Sequence, residues 1–276
     1  MKKVFLLLSV VFLLCGCVKE EKEEEIEEPL TFQFVDVKGN SYEAELLDQV
    51  PKCKYDYSKL VTKEGYQYYT DEEGNIASKI GVDVSRYQEK IDWEKVKKSG
   101  IDFAMIRLGY RGYGKEGHLV EDEYFKANIE GAIAAGLDVG VYFFSQAITE
   151  KEAIEEAEFV LKRVKDYHLS YPIVFDTEEI QEKTARTKDL DKEQYSKNCI
   201  AFCDAVLEKG YETMIYANMK WMAFTLDLTA LTEYDFWYAD YEKKPQCPYA
   251  FKIWQYTEEG KVPGIYGGVD LNIYFN

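Results

Sequence analysis

An apolar run, Pro172-Ile173-Val174-Phe175, ends abruptly in Asp176-Thr177-Glu178-Glu179. A short run of β-branched and aromatic residues reads as a buried parallel strand. Side chains alternate along a strand, so Asp176 and Glu178 point to the same face. Two strand rises put their Cβ atoms about 6–7 Å apart. Carboxyls that close repel, which pushes one of them towards the protonated form near neutral pH. A protonated acid beside an ionised one is the equipment for cleaving a glycosidic bond. The separation is too small for the water of an inverting enzyme, whose carboxyls stand about 6.5–9.5 Å apart, so retention of configuration is expected. The competing reading is that strand ends are acidic because loops are polar, and the triplet alone does not decide between the two.

The elements around this strand supply the rest of a site. From Lys79 onward strands alternate with helices, the mark of a parallel α/β fold. Strands are expected at 80–85, 103–109, 139–145, 173–178 and 214–218. Helices are expected at 92–99, 121–135, 149–167 and 191–209, the third opening on a Thr149/Glu152 capping box. Beyond Asn218 regular helices run out, and strands at 235–241, 251–256 and 269–275 follow through loops. The expected fold class is α/β, a modified (β/α)8 barrel with about five βα units followed by three strands. In such barrels chemistry sits at the carboxyl ends of strands. Asp83, Ser145, Asp176, Glu178, Asn218 and Asp240 fall at or near those ends. Asp270 lies early in its strand, a placement the parallel scheme does not explain. Tyr142, Tyr216, Trp237, Tyr241 and Trp254 lie near the same rim. Each aromatic alone could be core packing. An acidic floor with an aromatic wall suits a sugar, whose apolar ring faces stack on aromatic rings.

The amino terminus belongs to a different class of segment. Lys2 and Lys3 precede an apolar run from Val4 to Leu14, then Leu14-Cys15-Gly16-Cys17. This is a secretory signal, too short for a comfortable membrane span. Its end resembles a bacterial lipobox, which implies a lipid on Cys17 and anchoring at the outer face of the cytoplasmic membrane. Residues 18–29 are nearly all charge and read as a disordered acidic stalk. Residues 30–78 carry two strand–turn patterns and read as a small β-rich region that packs on the barrel or binds wall polymer through its tyrosines. Residues 79–276 form the barrel.

Composition bounds the partners. The chain has 276 residues, 46% hydrophobic and 31% charged, with a formal charge of −17. Nucleic acid is excluded as a partner by that charge, since phosphate binding needs basic patches. Two histidines, His118 and His168, make histidine metal sites and His-based triads improbable. The cysteine spacing suggests no metal site either, and Cys53, Cys199, Cys203 and Cys247 read as structural thiols. A monomer is expected.

Several blocks then stand together: Gly81-Val82-Asp83-Val84-Ser85-Arg86-Tyr87-Gln88 with Ile91-Asp92-Trp93, Gly140-Val141-Tyr142-Phe143-Phe144, Phe175-Asp176-Thr177-Glu178, Trp254-Gln255-Tyr256 and Gly268-Val269-Asp270. In this order and spacing the chain resembles the glycoside hydrolase family 25 lysozymes, the Chalaropsis-type muramidases, over about Lys79 to Asn276. The resemblance implies hydrolysis of the β-1,4 bond between N-acetylmuramic acid and N-acetylglucosamine in peptidoglycan glycan strands, with no metal or organic cofactor. It implies Glu178 as proton donor, Asp176 beside it, and Asp83 and Asp270 as substrate-orienting or charge-tuning acids. Many members carry a histidine where this chain has Phe143, which bears on one neighbouring hydrogen bond. The alternative is a wall-binding lipoprotein of weak or no activity, against which the intact set of four acids speaks.

Overall fold

A computed structural model describes residues 29–275. The signal segment, Cys17 and the acidic stretch to residue 28 lie outside the described residues. Two hairpins come first, β1 (Thr31–Val35) with β2 (Ser41–Glu45) and β3 (Leu60–Lys63) with β4 (Tyr66–Tyr69). Then follow β5 (Ser78–Val84), α1 (Trp93–Lys98), β6 (Phe103–Arg111), β7 (Leu119–Glu121), α2 (Phe125–Ala134), β8 (Asp138–Phe144), α3 (Glu150–Val164) and β9 (Ile173–Asp176). The chain continues through α4 (Lys192–Leu207), β10 (Thr213–Asn218), α5 (Met219–Phe224), β11 (Asp235–Ala239), β12 (Ile253–Gly260) and β13 (Val269–Phe275).

Eight of these strands close into a barrel in the order β5-β6-β8-β9-β10-β11-β12-β13, with β13 returning to β5. Seven run parallel. β13 runs antiparallel to both of its neighbours. Strand alternation divides the apolar residues into two cores. Phe103, Met105, Val174, Met214, Tyr216, Trp237, Ala239 and Ile253 fill the interior. Their chain neighbours, such as Ala104, Ile106, Phe175, Ile215, Tyr238 and Trp254, face the surrounding layer. At the narrow end Phe103 stacks on Tyr171 at 4.4 Å. Gly81 faces that ring so closely that a Cβ would sit 2.3 Å from it.

Several elements differ from those read in the sequence. β9 stops at Asp176, so Glu178 stands just past the strand. α2 begins at Phe125 because residues 119–121 pair with β6 as β7, and the Asp122 carboxylate then accepts from the backbone of Tyr124 at 2.9 Å. One more short helix, α5, follows β10, its first turn capped by Asn218.

The β-rich N-terminal region packs on the barrel where outer helices are missing. Between β11 and β12 the chain runs as loop, leaving the outward faces of those strands to be covered. Tyr55 stacks on Phe275 at 4.1 Å and donates its hydroxyl to Phe251 O at 2.9 Å. Phe32 meets Tyr249 edge-on at 6.0 Å. Gln246 reads the β1 backbone, accepting from Val35 N at 2.8 Å and donating to Val35 O at 2.9 Å. Under this cover Tyr238, Tyr249 and Phe251 are buried. Cys199, Cys203 and Cys247 are buried free thiols and Cys53 is half-buried. Burial pushes Cys203 up to about 12, which keeps it protonated and inert.

Candidate active site

The antiparallel turn of β13 settles the placement of Asp270. A strand running the other way brings its beginning to the rim where the parallel strands end. The β13–β5 register sets Asp270 directly opposite Asp83. Asp176 ends β9, and Glu178 follows it out over the mouth. All four acids line one open cleft of about 580 Å³ at the carboxyl-end face.

The floor is fixed by hydrogen bonds of one direction. The Trp237 indole N–H, which can only donate, bonds to Asn272 Oδ1 at 2.8 Å. Asn272 must therefore turn its amide nitrogen to the cleft, where it donates to Asp83 Oδ2 at 2.8 Å. Gln255 Nε2 donates to the same oxygen at 2.9 Å. Its Oε1 accepts from the hydroxyls of Tyr216 at 2.9 Å and Tyr241 at 3.0 Å. Asp83 Oδ2 thus accepts twice and carries no proton. Hydrogen bonds to a charged group are worth about 1.5–3 kcal/mol each, which offsets much of the several kcal/mol that burying a carboxylate costs.

Every carboxyl of the set is pushed upward, with burial the first cause. At Asp83 the rise is opposed by the bonds from Asn272 and Gln255 and by Asp270. Asp270 is raised by burial and then by the charge of Asp83 and a hydrogen bond to it. Of the pair, Asp270 is the member favoured to hold a proton, because Asp83 accepts two amide donors. Asp176 is raised well above the usual range by burial, then by Glu178 and Asp83, with Arg107 opposing. Glu178 is raised by burial, eased by the Tyr216 hydroxyl, and raised again by Asp83 and Glu258. The repulsion between Asp176 and Glu178 read from the sequence thus acts at Asp176, whose Oδ1 is buried without a hydrogen-bond partner. Glu178 and Asp270 are the half-buried members, Asp83 and Asp176 the buried ones.

Of the aromatic wall, Tyr142, Tyr216, Trp237 and Tyr241 line the cleft. Tyr142 and Tyr216 meet the Trp237 ring edge-on at 5.8 and 4.9 Å. Trp254 does not belong to it. It is fully buried on the outer face of β12, its indole donating to Asp240 O at 2.7 Å, because alternation turns Gln255 inward instead. Asn218 does not line it either. Its side chain accepts from Trp221 N at 3.0 Å as the cap of α5. Asp240 spends its carboxylate on Tyr238 Oη and the Gln246 backbone. Phe143 points away from the cleft onto Phe159 at 5.8 Å, so its departure from histidine does not alter the floor.

Gln255 and Asn272 escaped the sequence reading although period-2 alternation carried the signal: Asn272 shares a face with Asp270 two positions away, and Gln255 shares one with the interior residue Ile253. Arg107 also escaped, a cation in the apolar strand 103–108. It lines the cleft and holds Asp122 Oδ2 through Nε at 2.7 Å.

A parallel barrel closed by one antiparallel strand, with acids converging on an open aromatic-lined cleft at its carboxyl-end face, defines a glycoside hydrolase of the lysozyme type. The chain belongs to glycosyl hydrolases family 25, whose family model matches residues 82–265. It is 31% identical over 204 residues to the uncharacterized protein YegX of Escherichia coli strain K12, covering 70% of this chain and 68% of that one. It is 27% identical over 193 residues to the autolytic lysozyme of Clostridium acetobutylicum, covering 70% of this chain and 54% of that protein, so it spans about half of that relative's length. Among solved structures it resembles a family 25 glycosyl hydrolase from Bacillus anthracis, with a TM-score of 0.60 and 26% identity over 78% of this chain and 95% of that one.

Proposed function

We propose that this protein is a muramidase that hydrolyses the β-1,4 bond between N-acetylmuramic acid and N-acetylglucosamine in peptidoglycan. The observation that carries the reading is the convergence of Asp83, Asp176, Glu178 and Asp270 on one open cleft, with Glu178 just past the end of its strand. The likeness to an autolytic lysozyme supports it.

In this reading the Glu178 carboxyl gives its proton to the glycosidic oxygen as the C–O bond breaks. Burial raises its pKa above the ordinary carboxylate value, which favours the protonated form the step needs. The positive charge that develops on the sugar ring is met by ionised Asp83, while Asp176 orients the acetamido group. The substrate's own acetamido oxygen closes on the anomeric carbon, and water then opens the cyclic intermediate while Glu178, now a carboxylate, takes the water's proton. Configuration is retained overall, and the proton count of Glu178 is restored. The site is built from one chain and the protein works as a monomer. A lipid on Cys17 holds it at the outer face of the cytoplasmic membrane, within reach of the wall.

The test is to digest purified peptidoglycan and identify the reducing end. Muramic acid supports the reading. Glucosamine makes the enzyme a glucosaminidase, and no release at all leaves a wall-binding protein without activity.

A further inference from the structure

The cleft is polarised. Its carboxylates come from β5, β9, β13 and the loop end of β12, while its two cations, Arg86 and Arg107, stand together at the β5–β6 side. Ser85 caps a single turn over Arg86–Gln88, accepting from Tyr87 N at 3.3 Å, while its own N–H donates to Gln88 Oε1 at 2.9 Å. Asp122 ties that turn to β6, accepting from Arg86 N at 3.0 Å and from Arg107 Nε at 2.7 Å. Both guanidinium groups lie over the same two rings, at 5.3 and 5.2 Å from Tyr87 and at 5.9 and 5.7 Å from Tyr110. The two cations are not equivalent. Arg107 is largely buried and neutralised by Asp122. Arg86 is exposed, and among the described residues no carboxylate stands within ion-pair distance of it. Tyr87 beside it is 71% exposed and Tyr113 51%. A guanidinium held against aromatic faces at the edge of a cleft, with no carboxylate partner, keeps its charge uncompensated and its geometry set.

We infer that Arg86, framed by Tyr87 and Tyr110, is a subsite for a carboxylate of the peptide stem, so that the enzyme prefers glycan whose stems carry free carboxylates to glycan whose stems are amidated. This rests on the muramidase reading. The sugar backbone of peptidoglycan is uncharged, whereas each muramic acid carries, through its lactyl group, a peptide with free carboxylates. A chain of charge −17 repels such a polymer at long range. An unpaired arginine in the cleft wall offsets that repulsion where the stem leaves the glycan. A planar fork over aromatic rings also suits bidentate carboxylate binding better than an ammonium would.

The experiment compares kcat/KM on uncross-linked glycan whose stems carry free carboxylates with that on the same glycan after those carboxylates are converted to amides, at low and high salt. Parallel samples come from walls treated to remove phosphate polymers. For the parent the ratio should exceed one, on the order of fivefold at low salt, as expected for one solvent-exposed ion pair, and shrink as salt screens it. In Arg86→Gln the ratio should fall close to one, and Arg86→Lys should lie between. A ratio in Arg86→Gln equal to the parent's overturns the inference. A preference that follows the phosphate polymer instead of the stem overturns the carboxylate assignment. Binding of both glycans to the Glu178→Gln protein by calorimetry reads the same preference without turnover. Failure of the muramidase reading, seen as no muramic reducing ends from the parent, is thereby separated from failure of this subsite.

Discussion

Asp83 and Asp270 face each other directly across the β13–β5 ladder, and the barrel closes by placing two acids side by side. Like charges at opposed strand positions destabilise a sheet, so the pair persists by sharing a proton. Asp270 has its pKa raised above the usual carboxylate range by burial and by Asp83. A group whose folded pKa is raised adds stability below its unfolded pKa near 4 and loses it as pH rises towards the folded value. Asp270→Asn keeps a donor towards Asp83 and removes this titration. The melting temperature of the variant relative to the parent should therefore rise between pH 5 and pH 9, by on the order of 2–4 °C for each 1 kcal/mol involved. A relative melting temperature that falls over that interval would contradict the shared proton.

Glu178→Gln keeps the shape of the cleft and removes the transferable proton. Turnover should drop by on the order of a hundredfold or more. The melting temperature should hold or increase slightly at neutral pH, because a carboxyl raised by burial is also removed. Near-parental turnover would move the acid to another residue.

The route of retention is open to a direct test. With the acetamido group as nucleophile, N-deacetylated glycan should bind yet be cut very poorly, and a thiazoline mimic of the cyclised intermediate should inhibit. A 2-fluoro sugar ester trapped on Asp176 and seen by mass spectrometry would make Asp176 the nucleophile instead.

Removal of residues 31–77 should abolish folding of the barrel. It would uncover Tyr238, Tyr249, Phe251 and Phe275, now 0–3% exposed. Large apolar side chains are worth about 1.5–3 kcal/mol each when buried, against a total stability of about 5–15 kcal/mol. The milder Tyr55→Ala, which loses the stack on Phe275, should cost about 2 kcal/mol in urea unfolding. A soluble, cooperatively melting truncated barrel would show the region to be an independent appendage.

Cys17→Ser should prevent lipidation and change membrane retention, maturation or both, since stable membrane anchoring takes more than one acyl chain. A variant that fractionates and migrates like the parent would rule out the lipid.

Alternation and capping made most of this site legible in the sequence. The Asp176/Glu178 pair could be read from a two-residue spacing, and the strand–helix rhythm placed Asp83 at a rim. Asp270 could not be explained because direction of travel is a tertiary property: nothing local marks β13 as the one strand that runs backwards. Trp254 was read into the wall by residue type, where the period of two, carried one step from Ile253, turns it outward and brings in Gln255. Asn218 shows the same competition. A polar residue at a strand end serves a cap as readily as a ligand, and the six-residue helix that claims it is too short to announce itself by periodicity.

The indole of Trp237 has a consequence for the energetics of the reaction. Because it can donate and never accept, Asn272 has one orientation, and Asp83 receives two amide protons. The negative end of the cleft is therefore set in advance. Water meeting a nascent cation must reorient its dipoles as the charge forms. Here the counter-charge already stands in place, so the step that separates charge bears little reorganisation energy. Phenylalanine at position 237 would fill nearly the same space yet free Asn272 to turn, and that advance setting would be lost while the barrel stayed packed.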